Sequence, residues 1–242
     1  RHTTEDIGFL VMEAGVHRLT DGTNLVAGSV DLTNESFRTT AFGTTFVTPP
    51  LIISQVMTNN DPAAVTERIR NVSTEDFQIQ LNEEEAADRL HGTEQVGFVA
   101  IDTGIATSGN ISLNALKTGN SVTHRNSTIN FGSIDGAVNP VVLSDMQTRD
   151  GRDAATVRHR SQTSTSITVF VEEEGSRDSE LGHTTEVVGV LAMEAGVLLG
   201  VSNQNTGFAL QSSPNAEQRT FTGSDFDLQF LNSIPTSTLG SL

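Results

Sequence analysis

The stretch HTTEDIGFLVMEAG at residues 2–15 returns as HGTEQVGFVAIDTG at residues 91–104 and as HTTEVVGVLAMEAG at residues 183–196. The copies are spaced by 89 and 92 residues, counted from Gly8 to Gly97 and from Gly97 to Gly189. A period of about 90 residues is typical of a small β-sandwich domain and exceeds the roughly 20–50 residues of solenoid repeats. Each phrase is apolar at successive positions and ends at a glycine, which predicts a central strand buried on both faces.

A second shared stretch lies between the phrases, where residues 54–84 align without gaps with residues 144–174. Within it, Phe77, Ile79 and Leu81 alternate with glutamines, and the second copy repeats this period of two. Such alternation is typical of strands with one buried face. We therefore predict an all-β chain made of tandem antiparallel β-sandwich modules.

The repeat arithmetic divides the chain into four parts. Residues 16–104 form a first module and residues 105–196 a second, while residues 197–242 are an incomplete third module or a tail. Residues 1–15 are the terminal strand of a split or preceding module. Because an apolar strand must be covered, we expect this segment to close a sheet with the tail of its own chain or to insert into a neighbouring copy.

Composition restricts the class of protein. Thirty acidic residues against fourteen basic ones give a formal net charge of −16, which disfavours nucleic acid as a partner. Acidic surfaces stay hydrated in salty water, so we predict a secreted or cell-surface protein from a saline environment. No apolar run reaches the length of a membrane span, and the absence of cysteine excludes disulfides and thiolate metal sites.

Several short motifs in the repeat suggest a family. Phe42, Pro49-Pro50, the string RIRNVSTEDF at residues 68–77 and the phrase VGFVAIDTG follow one another in the first module. This order resembles the H-type lectin domain, the six-stranded sandwich of snail agglutinin and of the discoidin C-terminal domain, over residues 42–104 and 131–196. The resemblance implies binding of N-acetylgalactosamine-type sugars at the edges between subunits of a trimer or hexamer. Where the family typically carries a tryptophan, however, the chain has glutamates at 83–85 and 172–174, so the family's sugar site does not carry over to these residues, and only the fold and the general class of surface recognition do.

Two arginine doublets are candidate ligand-binding residues. Arg68 and Arg70 are spaced by two, as are Arg158 and Arg160 in the second module. On a strand this spacing places both guanidinium groups on one face. They could bind a carboxylate or sulfate of an acidic polysaccharide, or neutralise the glutamates of their own module across strands.

The histidines that open the phrases, His91 and His183, form a second candidate ligand-binding set. Imidazole with nearby carboxylates suits zinc or another divalent ion. On a strand, however, His and Glu three residues apart point to opposite faces, which favours a capping or inter-strand hydrogen-bonding role. The acidic residues could offer oxygen ligands to calcium or form a solvated rim. The candidate metal ligands are Glu83, Glu85, Asp88, Asp150, Asp153 and Glu173.

No catalytic motif is present, and paired carboxylates in a repeated module would require several equivalent active sites, so the sequence predicts no enzyme. We expect an extracellular pair of binding modules for glycan or polysaccharide recognition or cell-surface adhesion, since two weak sites on one chain gain avidity. The alternative is a structural, self-assembling protein whose copies exchange strands to form a fibre, sheath or stalk.

Overall fold

The computed structural model describes residues 7–179 and 182–200 together with the backbone of residues 209–211. Gly8–Ser213 form one compact unit, and a second unit comprises Arg1–Ile7 and Pro214–Leu242, of which only Ile7 is described. Within the described residues every element is a strand and every pairing is antiparallel, which confirms the all-β fold class. In that part of the chain no helix is long and apolar enough to cross a membrane.

The strands, in chain order, are β1 (Gly15–Arg18), β2 (Asn24–Leu32), β3 (Arg38–Ala41), β4 (Leu51–Val56), β5 (Val65–Arg70), β6 (Asp76–Glu83), β7 (Glu94–Ile101), β8 (Gly104–Ser108), β9 (Ile111–Lys117), β10 (Ser127–Asn130), β11 (Val141–Met146), β12 (Ala155–Gln162), β13 (Ser166–Glu173), β14 (Val188–Met193), β15 (Val197–Leu199) and β16 (Ala209–Gln211).

The first module has two sheets around one apolar cluster. One sheet has the strand order β1-β2-β7-β4 and the other the order β3-β6-β5. Val96 comes from the first sheet, and Phe77 and Ile79 come from the second; all three are fully buried in the same cluster. Phe77 also stacks on Phe42, with ring centroids 5.4 Å apart. The alternation along β6 therefore puts its apolar residues on the core face, as predicted from the sequence.

The second module repeats this plan with the orders β11-β14-β9-β8 and β10-β13-β12. Its cluster takes Val190 from the first sheet and Ile167 and Val169 from the second. Strands β11, β12 and β13 occur in the same order as β4, β5 and β6, in keeping with the ungapped sequence match. The pairing of β12 with β13 differs by a bulge between His159 and Ser161.

The three phrases do not all form strands. The second and third copies become β7 and β14, each hydrogen-bonded on both sides, and all six residues of β14 are buried. The prediction for the first copy was wrong, since residues 7–14 contain no strand. Ile7, Phe9 and Val11 are 56%, 45% and 42% exposed. The reason is the lack of neighbours: in the described part of the chain no strand hydrogen-bonds to this segment, whereas β7 and β14 each have two.

A third apolar cluster lies where the two modules meet. Leu51 of the first module and Leu191 of the second are both buried in it, and Leu10 and Met12 pack against it. The first phrase therefore covers one face even though it forms no strand. β15 pairs with β16, and Gly200 forms an antiparallel bridge with Leu19; the rest of the predicted incomplete third module lies outside the described residues.

Candidate functional site

The first module buries a histidine between two glutamates. His91 lies in the loop before β7 and is 1% exposed. Its Nδ1 lies 2.9 Å from Oε1 of Glu83 at the end of β6, and its Nε2 lies 3.3 Å from Oε1 of Glu94 at the start of β7. Both glutamates are themselves buried. The expectation that His and Glu point to opposite faces was wrong, because the histidine precedes the strand and strand alternation does not apply to it.

The second module contains the same arrangement. Nδ1 of His183 lies 2.7 Å from Oε1 of Glu173, and its Nε2 lies 3.0 Å from Oε1 of Glu186. Because His183 and its counterpart are buried and bonded through both ring nitrogens, neither offers a surface to an external ligand. The structure gives both histidines the hydrogen-bonding role, so their assignment as ligand-binding residues is corrected.

The glutamate three residues after each histidine is the centre of a hydrogen-bond network. Oε1 of Glu186 accepts hydrogen bonds from the backbone N–H groups of Asp150 and Gly151, at 3.0 and 3.1 Å, and Oε2 accepts one from the Thr148 hydroxyl. The donors to Glu94 that match these, located after β4, are Thr58, Asn60 and Asp61. These bonds supply the partners that buried carboxylates require, and they tie the loop after β4 or β11 to the phrase.

The two networks differ by one arginine. Nη2 of Arg68, on β5 of the first module, lies 2.7 Å from Oε1 of Glu186 in the second module, and both side chains are fully buried. Burial alone would raise the pKa of Glu186, but the hydrogen bonds from His183 and Thr148 and the charge of Arg68 lower it to about 2. Arg68 therefore joins the modules and is not free to bind a glycan. The expectation that it neutralises glutamates of its own module was wrong.

The second module also covers the open edge of β4, which is an edge strand of its sheet. Gln147 accepts a hydrogen bond from the N–H of Ile52 at 2.9 Å and donates one to its carbonyl at 2.7 Å. Oδ2 of Asp145 accepts hydrogen bonds from the backbone N–H and the hydroxyl of Ser54, at 2.9 and 2.7 Å. Side chains thus satisfy groups that would otherwise be open to another strand.

A pair of carboxyl groups lies in this same interface. Asp145 of the second module shares the Ser54 hydroxyl with Glu67 of the first, at 2.7 and 3.4 Å. Burial, and then the charge of Glu67, raise the pKa of Asp145 well above its ordinary value, and burial also raises the pKa of Glu67. Two adjacent half-buried carboxyls avoid carrying two charges at once, so this pair retains a proton to higher pH than isolated carboxyls do.

A cluster of arginines surrounds Phe37 near the same interface. The guanidinium of Arg70 stacks 3.5 Å from the centroid of the Phe37 ring, and that of Arg149 lies 5.7 Å from it. Burial, and then the charge of Arg68, lower the pKa of Arg149. Both Arg70 and Arg149 remain half-buried. The sequence indicated Arg70 but missed Phe37, which lies just before β3 of the same module, and Arg149, which reaches the Phe37 ring from the second module.

The doublet of the second module has different surroundings. Arg158 pairs with Glu172 of its own module at 3.1 Å, and the two side chains are 46% and 49% exposed. Arg160 lies 5.8 Å from the centroid of the Phe170 ring and donates to Asn126 at 3.4 Å. Here the interpretation as local charge neutralisation fits Arg158. The two doublets are equivalent in sequence but not in environment.

The candidate metal ligands divide between the two buried networks and the surface of the protein. Two of them, Glu83 and Glu173, hold the buried histidines. Asp88, Asp150 and Asp153 are exposed, and Asp150 accepts a hydrogen bond from Asn120. Across the described residues no group of three or more His, Cys, Asp or Glu side chains is placed to hold an ion.

Glu85 lies in crowded acidic surroundings that include a second candidate metal ligand, Asp153. Burial, and then the neighbouring charges of Asp153, Asp178 and Glu174, raise its pKa. Bound calcium stays a prediction, and it is tested by whether a chelator lowers the melting temperature.

A serine–histidine contact on the surface was missed by the sequence reasoning. Oγ of Ser144 lies 2.6 Å from Nε2 of His159, and burial lowers the pKa of that histidine. Nucleophilic catalysis by serine needs a base that a third group orients. Among the described residues no carboxylate is hydrogen-bonded to His159. The contact, which joins β11 to β12, is best described as structural.

Comparison with known proteins gives one informative likeness. The chain is 33% identical over 198 residues to halomucin of Haloquadratum walsbyi. The aligned region is 80% of this chain but 2% of halomucin. No family model and no solved structure matches the chain.

Proposed function

We propose that the chain is a non-catalytic, H-type-lectin-like pair of modules from a secreted or cell-surface protein, and that it recognises acidic glycans at the arginine cluster. The likeness to halomucin supports a secreted or surface protein in a saline setting. The observation that carries glycan recognition is the arrangement of Arg70 and Arg149 about Phe37. Arg70 is the member of the candidate ligand-binding set that remains partly exposed at the junction of the modules, and Arg149 lies beside it.

The chemistry of this cluster suits an anionic sugar. Guanidinium groups bind carboxylate or sulfate through two parallel hydrogen bonds, and the edge of an aromatic ring offers an apolar contact. The formal charge of −16 would repel an anionic polymer at low ionic strength. At about 1 M salt the Debye length is only about 3 Å, so the long-range repulsion is screened while short hydrogen bonds persist. Binding of this kind fits a saline environment.

The test compares sulfated dextran with neutral dextran of the same length, at molar salt, by calorimetry. We expect the sulfated polymer to bind and the neutral one not to bind. The double variant Arg70→Ala with Arg149→Ala should weaken binding at least tenfold. The matched control, Arg158→Ala with Arg160→Ala, removes the same charge from the other doublet and should bind as the parent does. Equal losses in both double variants would reject a site at the cluster.

A structural role is the second candidate, and a different observation favours it. The modules are joined by a fully buried ion pair and by side chains that cap the edge of β4. Such contacts suit a rigid building block of a fibre, sheath or stalk. Electron microscopy and mass photometry of the purified chain test this candidate. Fibres or sheets would support it, and single dispersed chains at high concentration in molar salt would count against it.

A further inference from the structure

The chain carries four asparagines in the acceptor pattern Asn-x-Ser/Thr. They are Asn34, Asn71, Asn110 and Asn126. In a secreted or surface protein this pattern marks candidates for N-linked glycosylation, because the transfer requires an asparagine amide and a hydroxyl two residues later. Pattern alone does not select among them, since short motifs occur by chance. The structure separates the four by exposure and by the hydrogen bonds that their side chains already make.

Two of the four asparagines are poor acceptors. Asn34 is half-buried and has a positive φ of 57°. Asn71 is exposed, but its amide donates to Gln78, and the hydroxyl of Ser73 donates to Asp76 while accepting from the backbone N–H of the same residue. Modification of Asn71 would break the first bond, and its partner hydroxyl is already held in a turn.

The other two asparagines, Asn110 and Asn126, are exposed to solvent. Asn126 is exposed in the segment that enters β10, and its Oδ1 accepts a long hydrogen bond of 3.4 Å from Arg160, a contact that does not use the amide nitrogen. Its partner hydroxyl, on Thr128, is also exposed, and it shares one hydrogen bond of 3.1 Å with the Thr168 hydroxyl on the neighbouring strand. Asn110 is exposed at the tip of the β8–β9 hairpin, between the paired residues Ser108 and Ile111. A bulky group fits at both places without displacing any core side chain.

We propose that Asn126 and Asn110 are N-glycosylated and that Asn34 and Asn71 are not. The co-reactant is an oligosaccharide linked through its anomeric carbon to a lipid phosphate. In the transfer a bond forms between Nδ2 of asparagine and the anomeric carbon, and the bond from that carbon to the phosphate oxygen breaks. Nδ2 loses one proton to a base, and the lipid phosphate leaves. The amide keeps its remaining hydrogen and carries the sugar.

The modification has a physical use in salt water. A net charge of −16 keeps copies apart at low ionic strength, but at about 1 M salt the Debye length of about 3 Å removes most of this repulsion. Linked sugars hold water by hydrogen bonds and are bulky, so salt does not cancel their effect. The inference rests on the proposed surface location but not on glycan recognition, because it concerns sugars that are attached and not sugars that are bound.

Peptide mass spectrometry of the chain taken from the surface fraction of its native cells tests the proposal. Trypsin releases residues 126–149, which hold Asn126 together with the exposed control Asn130, whose second following residue is Gly132. Fragmentation should place a sugar mass on Asn126 and none on Asn130. The peptide of residues 90–117 should likewise carry sugar on Asn110 and none on Asn114.

Substitutions at the hydroxyl position make the test specific. Thr128→Ala keeps Asn126 but should abolish its modification, whereas Thr128→Ser should retain it. Unmodified Asn126 and Asn110 in chains recovered from the cell surface would overturn the proposal, as would sugar on Asn34 and Asn71 alone. The dextran experiment uses chain made in a host without N-glycosylation, so failure of one proposal is distinguishable from failure of the other.

Discussion

The two modules bury the same Glu–His–Glu network, yet only one network meets an arginine. Glu94 and Glu186 accept equivalent hydrogen bonds from a threonine, two backbone N–H groups and a histidine. Glu186 also accepts one from Arg68 of the other module. The shared part of the network therefore belongs to the module itself, where it ties a loop to the central strand. The arginine belongs to the interface, because it connects the first module to the network of the second and has no equivalent at Glu94.

The largest expected effect on the unfolding free energy comes from removing Arg68. Arg68→Ala leaves the buried Glu186 without its counter-charge, which for a buried pair costs about 3–5 kcal/mol of unfolding free energy. Arg158→Ala, the matched control in the second module, removes half of an exposed pair and should cost less than about 1 kcal/mol. Urea unfolding of both variants measures the difference. Equal losses would show that the buried pair does not hold the modules together.

The dependence of stability on pH sharpens the same comparison. The folded pKa of Glu186 is about 2, below its ordinary value of 4.5, so its contribution is present above pH 4.5 and is lost as the pH falls towards 2. The difference between a pKa of 4.5 in the unfolded chain and one of about 2 in the folded chain corresponds to about 3 kcal/mol. The unfolding free energy, measured from pH 6 down to pH 2, should decrease between pH 4.5 and pH 2. In Glu186→Gln this decrease of the unfolding free energy should be smaller. An equal decrease in the variant would mean that groups other than Glu186 cause the loss of stability in acid.

The carboxyl pair in the interface gives a pH dependence of opposite sign. Because the folded pKa of Asp145 is raised, its contribution is present below its ordinary pKa of 3.8 and is lost as the pH rises through the folded value. Asp145→Asn keeps an oxygen that can accept from Ser54 and carries no charge. We expect this variant to gain about 1–2 kcal/mol relative to the parent at pH 8, and to gain less at pH 4. A gain that is equal at both pH values would contradict a shared proton.

Removing the histidine should affect both modules alike, because both networks use it in the same way. His91→Ala and His183→Ala each leave one buried carboxylate oxygen, on Glu83 or Glu173, without its donor, at a cost of about 1–3 kcal/mol. Calorimetric or urea unfolding of the two variants provides the measurement. In contrast to the arginine variants, the two losses should agree within about 1 kcal/mol. A loss confined to His183 would mean that the network matters only where the arginine meets it.

The sequence predicted the parts of the fold that depend on neighbours along the chain. Alternation predicted the core face of β6, and the ungapped repeat predicted the equivalence of β4–β6 with β11–β13. The strand at residues 8–12 was predicted wrongly because a strand is completed by partners that its own residues do not reveal. The partner of Arg68 is 118 residues away in another module. Spacing within one strand shows which face a guanidinium takes but not what lies opposite that face.

The smallest expected effect is the change with salt in the coupling free energy of each arginine–glutamate pair, which should differ between the two modules. The pair of Arg158 and Glu172 is about half exposed, so a double-mutant cycle should give a coupling of about 0.2–1 kcal/mol at low salt. At about 1 M salt, where the Debye length is about 3 Å, this coupling should vanish. The pair of Arg68 and Glu186 is fully buried and is screened much less, so its coupling should persist at both salt concentrations. If both couplings vanished in molar salt, water would have to reach Glu186, and the interface between the modules would be open in the environment that the acidic composition predicts.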